Sequence, residues 1–247
     1  MVAKLFVYKL MKFRYLKLEF LFFVFSTAVE IISIYIFLHF LLGSILNADS
    51  SDILFVLGMH RLLIGVARTF YINRLLTLPN DFRTGALDSY FLAPVNNKLY
   101  YCLSDFSVNE VLNIALGLVI VTLSLQQLDD INLPLAVLTL LISNLLLFFI
   151  LLAITATAAS RINPGPLNAI FTNIFSLSQF KPEFFPAPIN SVLKFVFPIG
   201  LLIWGPLELI VTPNMESWIL FIFFAVMTFF AQQLAWTKLV EKYSSAN

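Results

Sequence analysis

Long apolar runs separated by short polar links set the pattern of this chain. Residues 20–46 are apolar apart from Glu30 and His39. At 1.5 Å per helical residue, such a run crosses a hydrocarbon core about 30 Å thick with some tilt. An acidic link at 47–52 turns the chain, and residues 53–72 predict a second span carrying His60, Arg61 and Arg68. Residues 106–125 predict a third, with Glu110 and Asn113. A turn at 126–132 holds Asp129 and Asp130, and Pro134 opens a fourth span that runs to about Ala159. Arg161 sits in the next link, 160–166.

The last third is irregular. Residues 167–180 barely reach the length of a fifth span and end in KPEFFPAP, which no continuous helix contains. A further apolar piece, 189–211, is broken by Pro198, Gly200, Gly205 and Pro206. Broken backbone at membrane depth is tolerated only where protein or a wet cavity covers it. Residues 180–213, with Pro182, Pro186, Pro198 and Pro206, are therefore expected to form an external re-entrant pair of half-helices. Residues 216–236 make the final span, and Lys238 and Lys242 follow in a short polar tail. The predicted fold is all-α integral membrane: about six transmembrane helices with a re-entrant hairpin between the fifth and sixth, in one domain, 1–247.

One long polar passage, residues 73–105, interrupts this pattern. It carries Arg74, Asp81, Arg83, Asp88, Lys98 and Asp105, and each unpaired charge near the bilayer centre costs roughly 2.5–3.5 kcal/mol. The passage must lie in water. Thr77-Leu78-Pro79 reads as a helix start and Gly85 as its stop. Asp81 then lies near the positive end of the helix and Arg83 near the negative end, which suits the helix dipole. A second piece runs through Leu87, Asp88, Tyr90, Phe91 and Leu92 until Pro94. A short helix pinned between two spans is a handle for another protein.

Charge fixes the orientation. With the N-terminus inside, the basic lead-in (1–19, Lys4 to Lys17), Arg74, Arg83, Lys98, Arg161, Lys238 and Lys242 all face the cytosol, leaving Lys181 and Lys194 outside. The expectation is a multi-pass protein of the cell (inner or plasma) membrane with both termini cytosolic. The lead-in is expected to be retained, because no A-x-A-like site closes the run behind it.

Composition agrees: of 247 residues, 60% are hydrophobic and 12% charged, too apolar for an ordinary soluble domain. The net charge of +1 comes from scattered cations and gives no reason to expect nucleic acid. Cys102 is the single cysteine, so a disulfide framework or thiolate cluster is ruled out. GxxxxGK[ST], HExxH and GxSxG are missing, and His39 and His60 fall on different spans. Neither a metal, nor a cofactor, nor catalysis is expected of the chain itself.

Charges inside spans persist only when paired or when they line a path. Glu30 lies about ten residues, near 15 Å of rise, from the cytosolic end of its helix. Arg61 sits at comparable depth on the antiparallel neighbour, within pairing reach. Arg61, Gly65 and Arg68 recur at i, i+4 and i+7, one face of the second span, expected at a bundle interior or subunit interface. Glu30, Arg61, Arg68, Glu110 and Asn113 form the candidate intramembrane set. Asn113 and Asn144 read as interhelical hydrogen bonds, and Trp204, Trp218 and Trp236 as interfacial belt aromatics.

Three passages, RTGALDSYFLAPVNNKLYY, LSQFKPEFFPAPINSVLKFVFPIGLLIWGP and KLVEKYSSAN, taken together, resemble the six-span permease subunits of bacterial type-2 ABC exporters. In the first cytosolic loop Thr84, Gly85, Leu87, Asp88, Pro94 and Val95 match that family's pattern. Ala86 stands where an acidic residue is usual and Ala93 where a basic one is usual. Pro182, Pro186 and Pro198 are similar to the external re-entrant segment. The resemblance implies a subunit that does not hydrolyse ATP, docks a separate ABC ATPase on its cytosolic helices and encloses the path with a second permease half, identical or related. On that reading Asp81, Arg83, Thr84, Gly85, Leu87, Asp88 and Pro94 form the ATPase-coupling set. A proton-coupled secondary transporter using Glu30, Glu110 and the half-helices is the competing reading. Membrane-embedded lipid chemistry and a transport-inactive scaffold are more distant ones.

Overall fold

Backbone polar groups in lipid must be satisfied within the segment, so apolar runs of this length become helices. The computed structural model describes residues 17–45, 50–125, 133–159 and 215–243, with isolated positions at 169, 171, 173, 186, 188 and 202. Among them the order is α1 (Lys17–Ile45), α2 (Ser50–Phe70), α3 (Ile72–Thr84), α4 (Asp88–Phe91), α5 (Asn97–Cys102), a 3₁₀ turn (Val108–Glu110), α6 (Val111–Leu125), α7 (Leu133–Ala159) and α8 (Met215–Lys242). Among the described residues, four segments are long and apolar enough to cross a membrane: Ile53–Phe70, Val108–Leu125, Pro134–Ala159 and Trp218–Lys242. Within α1, Leu21–Phe37 is a shorter apolar stretch. The predicted fifth span, the lead-in before Lys17 and the region holding Pro182, Pro198 and Pro206 lie outside the described residues. Pro186 is described only as an isolated exposed position.

α2 is the central helix. In its membrane-capable segment 72% of residues are buried inside the protein, against 11% in α8. Its closest neighbour is α6, and glycine makes that approach possible. A Cβ placed on Gly58 would stand 2.9 Å from the Val121 backbone nitrogen, and one on Gly117 would stand 2.9 Å from that of Leu62. At Gly65 the Ile114 backbone nitrogen is again 2.9 Å away. Without side chains at these three positions the two backbones pack directly together, as small residues allow between membrane helices. α7 packs against α8 and α3, burying Leu146, Leu147, Leu151 and Leu152. α1 leans on α2 and exposes Phe22, Phe25, Ile32 and Phe40, as a helix facing lipid would.

The polar loop departs from expectation at its start. α3 begins at Ile72, not at Thr77-Leu78-Pro79, and Pro79 lies inside the helix. Helical bonding continues across the junction: Tyr71 N–H donates to Ala67 at 2.9 Å, and Leu75 N–H donates to Tyr71 at 2.9 Å. Leu75 and Leu78 are wholly buried, and at roughly 1.5–3 kcal/mol each they offset the cost of about 3 kcal/mol for a helical proline. Gly85 does end the helix, with φ 75° in the left-handed region that favours glycine. The second piece is a single turn, α4. The helix α5 was not anticipated; Asn96 caps it, its Oδ1 accepting from the Leu99 N–H at 3.2 Å.

Two further corrections concern α8. Lys238 and Lys242 belong to the helix instead of following it in a tail. Trp236 is 7% exposed and packs 6.4 Å from the Tyr101 ring, so it is core and not a belt residue. An aromatic near the end of a span suits either place, and packing against the loop decides it.

Candidate functional site

Close packing of α2 on α6, with α1 leaning on α2, brings together the five polar residues expected within the membrane. Arg61 Nη2 lies 2.9 Å from Glu30 Oε1, bridging α2 to α1. The N–H bonds of that nitrogen are not aligned for a hydrogen bond, so the contact is a charge pair. Arg61 Nη1 donates to Asn113 Oδ1 at 3.5 Å, and Asn113 Nδ2 donates to Glu110 Oε2 at 2.6 Å. Arg68 Nη1 stands 3.7 Å from Glu110 Oε1. The result is one alternating string, Glu30–Arg61–Asn113–Glu110–Arg68, across three helices. It lines a cavity of about 160 Å³ together with His60.

Burial within the string is uneven. The side chain of Arg61 is 10% exposed and that of Glu30 53%, while Arg68 and Glu110 stand at 36% and 13%. A charge in low dielectric is stable only with partners, and Arg61 has two, from different helices. The sequence spacing of Arg61, Gly65 and Arg68 is thus a bundle-interior stripe. Asn113 and Asn144 make the interhelical bonds expected of them, the latter accepting from Tyr71 Oη at 3.4 Å through Oδ1 and 3.0 Å through its carbonyl.

A second constellation organises the polar loop. Arg74, Thr77 and Asp81 share one face of α3 at i, i+3 and i+7. Arg74 Nη2 lies 3.1 Å from Asp81 Oδ2 and donates to Tyr90 Oη at 2.8 Å. Its guanidinium sits 4.4 Å from the centroid of the Tyr101 ring and 5.0 Å from that of Tyr90, within cation–π range. Tyr101 Oη donates to Asp81 Oδ2 at 2.8 Å. Burial holds this phenol well above its usual range, opposed by a hydrogen bond to Thr77 and the charge of Arg74. Burial likewise pushes the neighbouring Cys102 thiol up to about 12.

α8 holds the loop from the other side. Tyr243 Oη donates to Asp88 Oδ1 at 2.7 Å, and its ring meets Phe82 and Phe91 edge to face at 5.6 and 5.1 Å. Lys98 Nζ donates to Gln232 and Gln233 at 3.2 and 2.9 Å; burial lowers the pKa of this ammonium.

The predicted loop residues therefore divide. Asp81 is buried in the Arg74–Tyr101 cluster, and Leu87 is 1% exposed. Gly85 sets the turn, Asp88 is half-buried under Tyr243, and Arg83, Thr84 and Pro94 are exposed. Leu92 (85% exposed) and Val95 project beside Pro94. Arg74, Tyr90, Tyr101 and Tyr243 were not singled out from the sequence. The repeat of Arg74, Thr77 and Asp81 was readable had the helix been started earlier; the Tyr101 and Tyr243 contacts carry no local signal.

Comparison with known proteins gives a family match and nothing narrower. A family model for ABC-2 family transporter proteins matches residues 15–247. No curated protein and no solved structure matches the chain significantly. The match takes in every described helix, so the apolar spans and the polar loop between α2 and α6 are parts of one family pattern: the chain belongs to the ABC-2 family of transporter proteins and is a multi-pass transmembrane permease.

Proposed function

We propose that this chain is the membrane-spanning half of an ATP-driven export system, coupled through its cytosolic loop to a separate ABC ATPase and paired with a second permease chain, identical or related. The observation that carries this is the build of the loop. Its core, Arg74, Asp81 and Tyr101, is locked inward, while Arg83, Thr84 and the tip Leu92, Pro94 and Val95 are turned out. A braced support under an exposed apolar and basic tip suits transmission of force from a partner. Asp81, Leu87 and Gly85 are support on this reading; Arg83, Thr84 and Pro94 make the contact, and Asp88 links the two.

Nucleotide-driven closure of the ATPases pushes the loop and rocks the bundle between inward- and outward-open states. The polar string along α1, α2 and α6 lies on the path side of that movement. The test is co-purification and transport with the cognate ATPase. Replacing residues 85–95 by a Gly/Ser linker is expected to abolish both association and ATP-dependent export, while collapse of the proton gradient leaves export intact. Association that survives the replacement overturns the coupling assignment. Export that stops with the gradient overturns the ATP-driven reading in favour of a proton-coupled carrier.

A further inference from the structure

The cavity along the polar string has a property that an internal ion pair alone does not need: its outermost member is replaceable. Glu110 is committed to Asn113 and Arg68 and is 13% exposed. Glu30 is 53% exposed and meets Arg61 without hydrogen-bond alignment. Were Glu30 to swing away, two guanidiniums would face a single carboxylate at membrane depth, and Arg61 would be left nine-tenths buried with its Nη2 donors open. Such a site attracts an anion, because the nine-tenths-buried Arg61 is then short of a countercharge.

We propose that this cavity binds the anionic headgroup of an amphiphile in exchange for the Glu30 carboxylate. Planar, bidentate guanidiniums match phosphate oxygens in geometry as well as charge. The cavity, about 160 Å³, is many times the roughly 10–15 Å³ that one water needs by the same measure, and so has room for a phosphate group. Arg68, in the last turn of α2, is the more exposed of the two arginines, which makes it the mouth on this proposal. The faces beside the cavity are apolar and open: Phe22 and Phe25 on α1 are 70% and 68% exposed, which provides for acyl chains. The headgroup enters at Arg68, reaches Arg61, and displaces Glu30. This deepens the permease reading, on which it rests, by giving the transported or regulatory ligand a chemical class.

The test is lipid retention by the full chain in mild detergent, without nucleotide or ATPase, so that its failure leaves the coupling reading standing. Phosphatidic acid and phosphatidylcholine are offered in mixed micelles and the bound lipid is measured by native mass spectrometry. The expected result is retention of phosphatidic acid over phosphatidylcholine, roughly tenfold weakened by Arg68→Gln, about 1.4 kcal/mol, and strengthened by Glu30→Gln. Arg61→Gln disturbs a buried position, so Arg68→Gln at the mouth and the gain expected from Glu30→Gln decide the question; a misfolded variant would not gain binding. Equal retention of the two lipids, no effect of Arg68→Gln, or a loss with Glu30→Gln overturns the proposal. So does displacement of the lipid by millimolar inorganic phosphate, which would assign the site to the free anion.

Discussion

Tyr243 and Asp88, 155 residues apart in sequence, share a hydrogen bond of 2.7 Å. It ties the end of α8 to the single-turn α4, and the rings of Phe82 and Phe91 both meet the tyrosine edge to face. The loop is thus anchored to a membrane helix at the far end of the chain. Tyr243→Phe keeps the ring contacts and loses one bond to a carboxylate, expected to cost about 1 kcal/mol. Tyr243→Ala loses both and is expected to cost more. Thermal unfolding in detergent checks the order, and on the coupling reading export falls in the same order while α2 to α7 remain folded.

The Arg74–Asp81–Tyr101 cluster predicts a large effect from a small change. Asp81→Ala leaves Arg74 partly buried without its carboxylate and Tyr101 Oη without its main acceptor. Removing one member of a buried pair costs roughly 3–5 kcal/mol. Arg74→Lys is not conservative here, because the ammonium lacks the planar fork that meets Asp81, Tyr90 and two rings at once. Both variants are expected to lower the midpoint of chemical unfolding far more than Arg83→Ala, which alters an exposed side chain.

At Gly117 a methyl group would fall 2.9 Å from the Leu62 backbone nitrogen and 3.0 Å from the Gly58 carbonyl. Backbone cannot yield as a flexible side chain can, so Gly117→Ala is expected to pry α6 from α2 at a cost of roughly 1–3 kcal/mol. The same shift draws Asn113 away from Arg61. The midpoint of thermal unfolding in detergent checks this, and the loss is expected to exceed that from alanine at Leu118, which is 53% exposed on the same helix.

Ionisation at high pH has a definite sign. The folded thiol of Cys102 is raised by burial from 9.0 to about 12, and the Tyr243 phenol from 10.0 to about 12, by burial and then by the hydrogen bond to Asp88. The unfolded chain loses these protons first. The stabilisation they provide is complete below about pH 9 and is lost as pH rises toward 12. Stability is expected to fall across that window, and Cys102 is expected to resist maleimide at pH 8 until the protein is denatured.

Legibility in the sequence followed the range of the interaction. The spans on α2, α6, α7 and α8 were readable because apolar length alone specifies them, and each of these helices carries a segment long and apolar enough to cross a membrane where one is expected. Arg61, Gly65 and Arg68 were readable as a stripe from spacing, and Glu30 as the partner of Arg61 from matched depth on antiparallel helices. A helix start at Thr77-Leu78-Pro79 makes Asp81 a dipole-facing charge, whereas the helix starts at Ile72. Once α3 begins at Ile72, Asp81 shares a face with Arg74, and the burial of Leu75 and Leu78 explains why the earlier start wins. Trp236 and Tyr243 depend on how a late helix meets an early loop, which no local pattern encodes.

Between α2 and α3 only Tyr71 leaves helical geometry, with φ −146° and ψ −27°, and hydrogen bonds run across it on both sides. Its hydroxyl is moored to Asn144 on α7. From Gly85 back to Arg61 the chain is therefore helical but for one tethered residue, roughly 36 Å in contour, with Pro79 the interior position that gives up a helical hydrogen bond. On the coupling reading, a push on the loop is carried along this run to the point where Arg61 meets Glu30.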